Sequence, residues 1–534
     1  MTGFLDAPVI EGSSYQVQRS LRFRGSAAAY LSRTFAAGNQ STWTMSFWLK
    51  RATIGLQNVM QAGGAGGSVI YIGNDNALHL SLTLGAGETR VTSALLRDPT
   101  AWHHIVVSLD TTQAIAANRV TVTVNGVVQT SFSTSGDPVL NSTFSFNGAT
   151  GHTIGQATAQ VGGPLDGYVT SAILVSGQQL PASSFGEFNS SGQWWPKAYS
   201  GSYGTTGFNL SFADPTNLTT LVSDSSGNGN NWTANNISLT AGVTYDSMLD
   251  APLGGGGERG NYCTWNPLDS NTSKPTNGNL RVGHNAGEGT RATQFNSVGK
   301  WYYEFQYDTI TSGADLGIAT SAASLGTYPG AGATSYGFSP NTGNKNNAGV
   351  GAAYGASHTT SDVVSVAYDL DNGKIWWAKN GVWQASGDPA AGTNAAYTGL
   401  AGAFAPMLGI DPGGGGNGGY ANFGQRPFAY TPPAGFKALH TGNLTNTTPL
   451  TSGSFTGNAV ADGPLVWCNG TPETLTVNGN AVTWGTHADK LASGFKLRTS
   501  SSSYNASGTN SWTATYLSPA DKSAFKYQLA KGNP

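Results

Sequence analysis

Charged side chains are scarce in this sequence. Lys, Arg, Asp and Glu together make up 10% of the 534 residues, and the formal net charge is −2. An ordinary soluble domain carries about a quarter of such residues. A general nucleic-acid binder would need a basic stripe, so we expect no nucleic-acid partner.

Long apolar runs are also missing. No stretch reaches the roughly 18 apolar residues that a membrane-spanning helix requires, which predicts no membrane insertion. The chain begins MTGFLDAPVI, which lacks the basic and apolar regions of a secretory signal. We therefore expect the protein to be made in a cytoplasm.

Cysteine is nearly absent. The two cysteines, Cys263 and Cys468, lie far apart, which is no disulfide framework, and nothing near them has metal-ligand spacing. We expect free, unreactive thiols in a reducing compartment.

Glycine, by contrast, is abundant, with 74 residues. Together with many Ser, Thr and Asn residues, it favours short strands, many turns and a neutral surface of hydroxyl and amide groups. Such a surface is either unspecialised or suited to neutral partners such as glycans. The length is too great for one core and indicates three or four domains.

Strand patterns dominate the first part of the chain. In TWTMSFWLKR (Thr42–Arg51), alternate residues are apolar, which places Trp43, Met45, Phe47 and Leu49 on one face. The motifs W-x-x-S-F-W-x-K, W-H-H-I-V-V-x-x-D, V-x-V-x-V-N-G, H-T-I-G and L-D-G-Y-V follow in order. This set resembles a laminin-G-like, concanavalin A-type jelly roll, which implies a β-sandwich over residues 20–244.

A second group of motifs surrounds SDVVSVAYDLDNGKIWWAKNGVW (Ser361–Trp383). Asp371-Asn372-Gly373 predicts a hairpin turn between two strands, because Asn-Gly accepts the positive φ angles of such a turn. The segments GKWYYEF, FAPMLGI and ANFGQRPFAYTPPAGFKAL flank it. The set resembles a SPRY domain, which implies a second β-sandwich over residues 260–440.

The remaining segments complete the predicted organisation. Residues 1–19 form an N-terminal arm, residues 245–259 a linker, and residues 441–534 a small β-rich C-terminal module. The charged end DKSAFKYQLAKGNP has a pattern compatible with a helix, which would either dock the subunit or lie inside an oligomer interface. The predicted fold class is all-β, with tandem β-sandwich (jelly-roll) domains.

The order of the parts resembles virion structural proteins of tailed bacteriophages. The laminin-G-like part is followed by T-Y-D-S-M-L-D, the SPRY-like part, S-G-F-K-L-R-T-S and Y-N-A-S-G. The resemblance implies a tail fibre or other appendage on the virion surface, in contact with other virion proteins and host-surface polysaccharide. It also favours a homo-oligomer, specifically a trimer.

Catalytic motifs are lacking. The nearest carboxylate pair, Asp369 and Asp371, lies at a hairpin turn, where Asp favours turn geometry by itself. Adjacent strand residues His103 and His104 point to opposite faces and cannot chelate one ion, so we expect one packed and one exposed histidine. We therefore predict no enzyme. A purely architectural virion component is the alternative, and a glycan hydrolase ranks third.

Two sets of residues are candidates for binding. Exposed aromatic rings beside Asn, Asp and Gly loops would stack on sugars, and the candidates are Trp194, Trp195, Tyr336 and Tyr420. The loop DSSGNGNN offers oxygens at every second position, from Asp224, Ser226, Asn228 and Asn230, which resembles calcium-loop spacing. Since only Asp224 is charged, the loop is either a weak calcium site or an Asx-turn network. No other cofactor is expected.

Overall fold

The computed structural model describes residues 15–87, 89–156, 162–189, 193–252 and 258–444. In the C-terminal part it describes 452–457, 459, 465–467, 472, 474–491 and 494–515. Most of the predicted arm, Cys468 and the predicted helical end lie outside these residues. Antiparallel strands dominate, which confirms the all-β prediction. Across the described ranges, every helix is too short or too polar to span a membrane.

The first domain consists of short strands with one short helix, α1 (Leu218–Leu221), and 3-10 turns at Gly25–Ala27, Ala116–Asn118 and Ala182–Ser184. Its strands are β1 (Ser20–Phe23), β2 (Tyr30–Thr34), β3 (Thr42–Arg51), β4 (Gln57–Ala62), β5 (Ser68–Ile72), β6 (Ala77–Ser81), β7 (Arg90–Leu95), β8 (Trp102–Asp110), β9 (Val120–Val124), β10 (Val127–Val128), β11 (Phe132–Ser135), β12 (Gly151–Ile154), β13 (Gly167–Ser176), β14 (Gly186–Phe188), β15 (Trp194–Pro196), β16 (Phe208–Leu210), β17 (Thr233–Asn235) and β18 (Ser247–Met248).

These strands form a sandwich of two sheets. Sheet A has the order β10-β9-β8-β3-β13-β1-β18, with β16 also paired to β13, and sheet B has the order β11-β7-β6-β5-β4-β12-β2-β17. The apolar core lies between them. It contains Trp43, Met45, Phe47 and Leu49 of β3, which confirms the face predicted from alternation.

The second domain is a sandwich of two further sheets, with 3-10 turns at Gln384–Ser386 and Thr441–Asn443. Its strands are β19 (Trp265–Ser270), β20 (Arg281–His284), β21 (Gly289–Ala292), β22 (Lys300–Thr309), β23 (Ala314–Ala319), β24 (Ser335–Phe338), β25 (Asn344–Asn347), β26 (Val350–Ala353), β27 (Val363–Asp369), β28 (Lys374–Lys379), β29 (Val382–Trp383), β30 (Tyr397–Thr398), β31 (Ala405–Ile410) and β32 (Asn417–Asn422). The sheet orders are β19-β21-β31-β23-β24-β25-β26 and β20-β32-β22-β27-β28-β29, with β30 also paired to β28.

The predicted central hairpin is present in the second domain. β27 and β28 pair antiparallel, and Gly373 between them has a φ of 62°. The Asp369 carboxylate accepts hydrogen bonds from the backbone N–H groups of Asp371 (3.1 Å) and Asn372 (3.0 Å). Asp369 therefore shapes the turn, as predicted.

Within its described residues, the C-terminal part contains one short helix, α2 (Ser502–Asn505). Its strands are β33 (Ser452–Gly457), β34 (Leu465–Trp467), β35 (Thr474–Val477), β36 (Asn480–Ala481), β37 (Ala488–Leu491), β38 (Gly494–Leu497) and β39 (Gly508–Thr515). They form a four-stranded sheet, β33-β39-β35-β36, and a three-stranded sheet, β34-β38-β37. Residues such as Val477, Phe495 and Trp512 pack between the strands as a separate small core.

The first two domains share a core. Trp48, Trp102 and Tyr168 of the first domain belong to the same apolar cluster as Trp265 and Phe423 of the second. This contact explains why β3 is buried on both faces, although its sequence alternates.

Residues 245–252, the first part of the predicted linker 245–259, pack within this contact region. Ser247–Met248 pairs with β1 at the edge of sheet A. The fully buried carboxylate of Asp246 accepts hydrogen bonds from Arg22 Nε (3.0 Å) and Arg24 Nε (2.9 Å). This part of the segment is therefore an edge strand held by buried ion pairs rather than an exposed tether.

Candidate functional site

The two predicted tryptophans lie on strand β15, against the outer face of sheet A. The Trp194 indole Nε1 donates to His104 Nδ1 at 2.9 Å, and its ring packs edge-on against Phe188 at 4.8 Å. Trp195 is only 5% exposed. Both rings serve as packing groups, and Trp195 has no open face on which a sugar could stack.

The two predicted tyrosines lie in different sheets of the second domain. Tyr336 is half-buried on β24, with its ring 5.3 Å from Tyr397 and 5.9 Å from Phe404. Tyr420 on β32 is half-buried beneath the Arg281 guanidinium, 5.9 Å from the ring centroid. In these contacts the tyrosines share no neighbour with each other or with the tryptophans.

The histidine pair corrects one prediction. His104 is buried, stacks on Trp48 at 4.7 Å and hydrogen-bonds Ser46 Oγ through Nε2 at 2.8 Å. One histidine of the pair was expected to be exposed, but His103 is also buried, at 9% exposure. Both faces of β8 are covered, because β15 and its neighbours pack on the outside of sheet A. Burial lowers the pKa of His104 to about 3.

The loop with calcium-like spacing forms an Asx-turn network. Asp224 Oδ1 accepts from the N–H groups of Asn209 and Ser226, both at 2.8 Å. Its Oδ2 accepts from Ser226 Oγ (2.8 Å) and Asn230 N (2.9 Å). The Asn228 amide donates to the backbone carbonyls of Gly204 and Gly207.

The loop oxygens are thus already engaged in internal hydrogen bonds. Within the described ranges, no three or more His, Cys, Asp or Glu side chains are grouped so as to hold a metal ion. Cys263 is buried with a free thiol, and burial raises its pKa to about 11, which keeps it protonated and unreactive.

A different site emerges on the outer face of sheet B. Leu31 on β2 and Ile154 on β12 point into the core. Because side chains alternate along a strand, Tyr30, Ser32 and Thr34 point outward. Cross-strand pairing places Thr153 and Thr233 on either side of Ser32.

A groove of ≈ 480 Å³ opens over these residues, within the ~300–1,000 Å³ range of ligand clefts. We call it the sheet-B groove. It is lined by Tyr30, Ser32, Arg33, Thr34, Gly63, Gly64, Thr150, Gly151, His152, Thr153 and Thr233. Hydroxyl groups and glycine backbone dominate the lining, with one aromatic ring. None of these lining residues is Asp or Glu, so the groove itself offers no carboxylate pair for glycoside hydrolysis.

Arg33 borders the sheet-B groove, but by the same alternation its side chain leaves β2 on the face opposite to Ser32 and Thr34. Its Nη2 donates to Asn230 Oδ1 at 2.7 Å, its Nη1 donates to the Asn231 carbonyl, and its guanidinium lies 4.9 Å from the Phe35 ring centroid. The Asp224 loop therefore holds the arginine in place, because Asn230 is bonded to both Asp224 and Arg33.

His152 borders the sheet-B groove, but its side chain lies on the same face of β12 as the core residue Ile154 and is uncharged at neutral pH. Its Nε2 accepts from the Asn147 N–H at 3.2 Å, so Nδ1 donates to the Thr150 carbonyl at 2.9 Å. Burial lowers its pKa to about 4. The histidine is therefore a packed neutral ring.

Two glycines keep the floor of the sheet-B groove open. A Cβ placed on Gly64 would meet no atom within 4 Å, and one on Gly151 would meet only Thr34 Oγ1 at 4.0 Å. Neither glycine has a positive φ. Side chains at these positions would project into the groove without straining the backbone.

The sequence carries a strand pattern at β2 but does not identify this site. The Tyr30-Ser32-Thr34 alternation was visible in AYLSRTF. Its partners lie about 120 and 200 residues further along the chain, and only the sheet order brings them together.

Two domain families match the chain. Residues 300–426 match the model described as SPRY domain, and residues 24–173 match the model of the Concanavalin A-like lectin/glucanases superfamily. The chain therefore contains a SPRY domain and a concanavalin A-like domain. The sheet-B groove lies in the concanavalin A-like domain.

Among curated proteins, the chain is similar to Ran-binding protein 9 of Xenopus tropicalis and of Xenopus laevis. Each match has 28% identity over 181 residues and covers 31% of this chain and 31% of the relative, so the chain spans about a third of these proteins. Solved structures that match include the SPRY domain of human HERC1, with 14% identity, 29% of this chain, 95% of that chain and a TM-score of 0.24. A heptameric SAP-like pentraxin from Limulus polyphemus matches with 14% identity, 31% of this chain, 80% of that chain and a TM-score of 0.24.

Proposed function

We propose that this chain is a non-enzymatic structural protein of a tailed-bacteriophage particle, exposed on a tail fibre or other appendage. In this proposal, the sheet-B groove contacts polysaccharide on the host surface. The observation that carries it is the lining of the groove, in a domain of a lectin-related superfamily.

The chemistry of the groove suits a neutral sugar. The ring of Tyr30 supplies an apolar face, and the hydroxyls of Ser32, Thr34 and Thr233 supply donors and acceptors for sugar hydroxyls. The glycine floor allows the ligand to approach the backbone.

Two features support the placement on a phage particle. They are the order of the domains and the motifs T-Y-D-S-M-L-D, S-G-F-K-L-R-T-S and Y-N-A-S-G, which resemble virion proteins. The proposed partners are other virion proteins, and the proposed assembly is a trimer of identical chains. Light scattering of the purified full-length protein measures that assembly directly.

An architectural role without receptor binding is the second candidate. The shared core between the first two domains favours it, because a rigid double sandwich suits a spacer or brace. In this case the groove would have no ligand, and the protein would only extend or strengthen the particle.

The test combines location with binding. Mass spectrometry of purified phage particles should detect peptides of this chain. Labelled protein should bind susceptible bacteria and lose that binding after periodate oxidation of surface glycans. Detection in particles without binding to cells that the phage still adsorbs would exclude the receptor role and leave the architectural one.

A further inference from the structure

Lys50 is a buried lysine at the contact between the first two domains. Its side chain is 1% exposed, and Nζ lies 2.8 Å from Asp250 Oδ2. Nζ also lies 2.7 Å from Asn261 Oδ1 and 2.9 Å from the Tyr262 carbonyl oxygen. An amine on strand β3 thus meets a carboxyl and a carboxamide. In the sequence, the carboxyl residue Asp250 precedes residues 253–257, and the carboxamide residue Asn261 follows them.

The surroundings of these groups are aromatic and dry. Lys50 Nζ lies 5.7 Å from the ring centroid of Tyr168. Asp250 is fully buried, and its Oδ1 accepts from Trp102 Nε1 at 3.1 Å and from the Tyr262 N–H at 3.2 Å. Burial raises the pKa of Asp250. Taking a charged pair out of water carries a large desolvation cost.

The geometry brings the nitrogen close to the amide carbon. A C=O bond is about 1.2 Å long, so a nitrogen 2.7 Å from Asn261 Oδ1 lies about 3–4 Å from the carbonyl carbon. This is close to the ~3–3.5 Å separation at which held groups react. Because a nitrogen that is hydrogen-bonded to Oδ1 lies on the oxygen side of the amide, Nζ has to move over Cγ before it can attack. The Asn261 Nδ2 donates to the Thr100 carbonyl at 2.6 Å, which fixes the orientation of the amide.

We propose that Lys50 and Asn261 form an intramolecular amide bond, with Asp250 carrying the proton. The bond would join strand β3 of the first domain to the first residues of the second. It is independent of the ligand proposed for the sheet-B groove.

The reaction needs no oxidant or further reactant. The Lys50 ammonium gives a proton to the Asp250 carboxylate, and the free amine forms a bond to Cγ of Asn261. Asp250 then protonates Nδ2 as the Cγ–Nδ2 bond breaks, and the second amine proton returns to Asp250. The products are one secondary amide, one ammonia and a protonated Asp250. When the ammonia takes the proton of Asp250, it leaves as ammonium and carries away the charge of the lysine, and the carboxylate is restored.

A second lysine in the chain provides a comparison. Lys379 also lies near a carboxylate, with Nζ 3.1 Å from Asp362 Oδ2, and Asn380 donates to the same carboxylate. However, Lys379 is 28% exposed, and Nζ is bonded to the Ser357 carbonyl rather than to an amide oxygen of Asn380. We expect Lys379 to remain a free amine.

The test is a tryptic digest of the purified full-length protein, sequenced by tandem mass spectrometry. Acylated lysine resists trypsin, so the bond would give a branched peptide in which residues 34–51 are joined to residues 260–281. Its mass should be lower than the sum of the two parts by one ammonia. The branched peptide decides the question rather than the intact mass, because Asn-Gly sites can also lose ammonia.

Variants separate the roles of the three groups. Lys50→Arg keeps a positive charge beside Asp250 but removes the primary amine, and Asp250→Asn keeps the shape but removes the proton carrier. Both should give linear peptides, while cleavage after Lys379 should proceed in every sample. A wild-type digest with only linear 34–50 and 260–281 peptides would overturn the proposal, whether or not the variants fold. A branched peptide in Asp250→Asn would refute the role of Asp250.

Discussion

At the scale of single residues, Asp315 has an unusual environment. It lies on β23, is 3% exposed, and its Oδ2 accepts a hydrogen bond from Asn346 Nδ2. Burial, with a smaller contribution from the charge of Asp411, raises the pKa of Asp315 to about 7. In the folded protein, the Asp315 carboxyl therefore stays protonated at pH values at which an ordinary aspartate is already ionised.

This pKa predicts how stability depends on pH. Asp315 stabilises the folded state below its unfolded pKa of 3.8, and that contribution is lost as the pH rises towards 7, because the unfolded chain releases the proton first. The loss is on the order of 1.4 kcal/mol per pH unit. Asp315→Asn carries no such penalty, so its stability relative to wild type should increase between pH 4 and 7 and then level off.

The measurement is the thermal unfolding midpoint of both proteins across this range. Wild type and Asp315→Asn should be most similar near pH 4, which is just above the unfolded pKa of 3.8, so the loss of stability has only begun there. A difference between the two midpoints that stays constant from pH 4 to 8 would show that Asp315 titrates normally.

At the scale of elements, strand β15 illustrates how a packed segment can be mistaken for a binding loop. Gly126 and Gly186 both lie against the Trp194 ring, where an added Cβ would approach ring carbons to 2.3 and 2.4 Å. The glycines thus create the space that the indole fills. The Trp194 and Trp195 rings could be exposed only if the outer face of sheet A were open to solvent. Strand β15, which carries both rings, covers that face.

This packing predicts the effect of truncating the ring. Trp194→Ala should lower the free energy of unfolding by ~3 kcal/mol, the scale of large-to-small substitutions, and leave polysaccharide binding unchanged below the unfolding temperature. Trp194→Phe keeps much of the packing and should cost about 1 kcal/mol for the lost hydrogen bond to His104. Denaturant unfolding and a binding assay on each variant measure the two effects. Lost binding in a folded Trp194→Ala protein would restore the sequence-based assignment.

Local patterns predicted the elements whose signals lie within one segment. The β27–β28 hairpin followed from Asp371-Asn372-Gly373, and the buried face of β3 followed from alternation. The second buried face of β3 could not be predicted, because Trp48 meets residues of the other domain more than 200 positions away. The sheet-B groove could not be predicted for the same reason, because the neighbours of β2 in the sheet, β12 and β17, are distant in sequence.

At the scale of the whole molecule, the first two domains are joined by polar as well as apolar contacts. Asp166 accepts from the Asn277 N–H at 2.9 Å and also from the Gly278 N–H. The Tyr168 hydroxyl donates to the Gly278 carbonyl, and the Asn279 amide donates to the Ala52 carbonyl at 3.0 Å. These groups would lose their partners if the domains separated.

We therefore expect the two domains to unfold together. Exposing the shared aromatic cluster to water costs several kcal/mol, and the hydrogen bonds between the domains are lost at the same time, so neither domain should melt alone. Scanning calorimetry of the full-length protein should show one transition for residues 15–444, separate from any transition of the C-terminal part. Two resolved transitions, assigned to the first two domains by limited proteolysis, would argue against the shared core.

A binding titration with polysaccharide tests most directly whether the sheet-B groove is the binding site. Purified host polysaccharide should bind wild-type protein and bind Gly151→Leu at least about tenfold more weakly, a change of about 1.4 kcal/mol, because the new side chain fills the groove. Gly332→Leu is the matched control, since its Cβ would also meet only one atom, Thr334 Oγ1 at 4.0 Å, but in the second domain. Equal affinity of wild type and a folded Gly151→Leu variant would contradict the assignment of the binding site to the sheet-B groove.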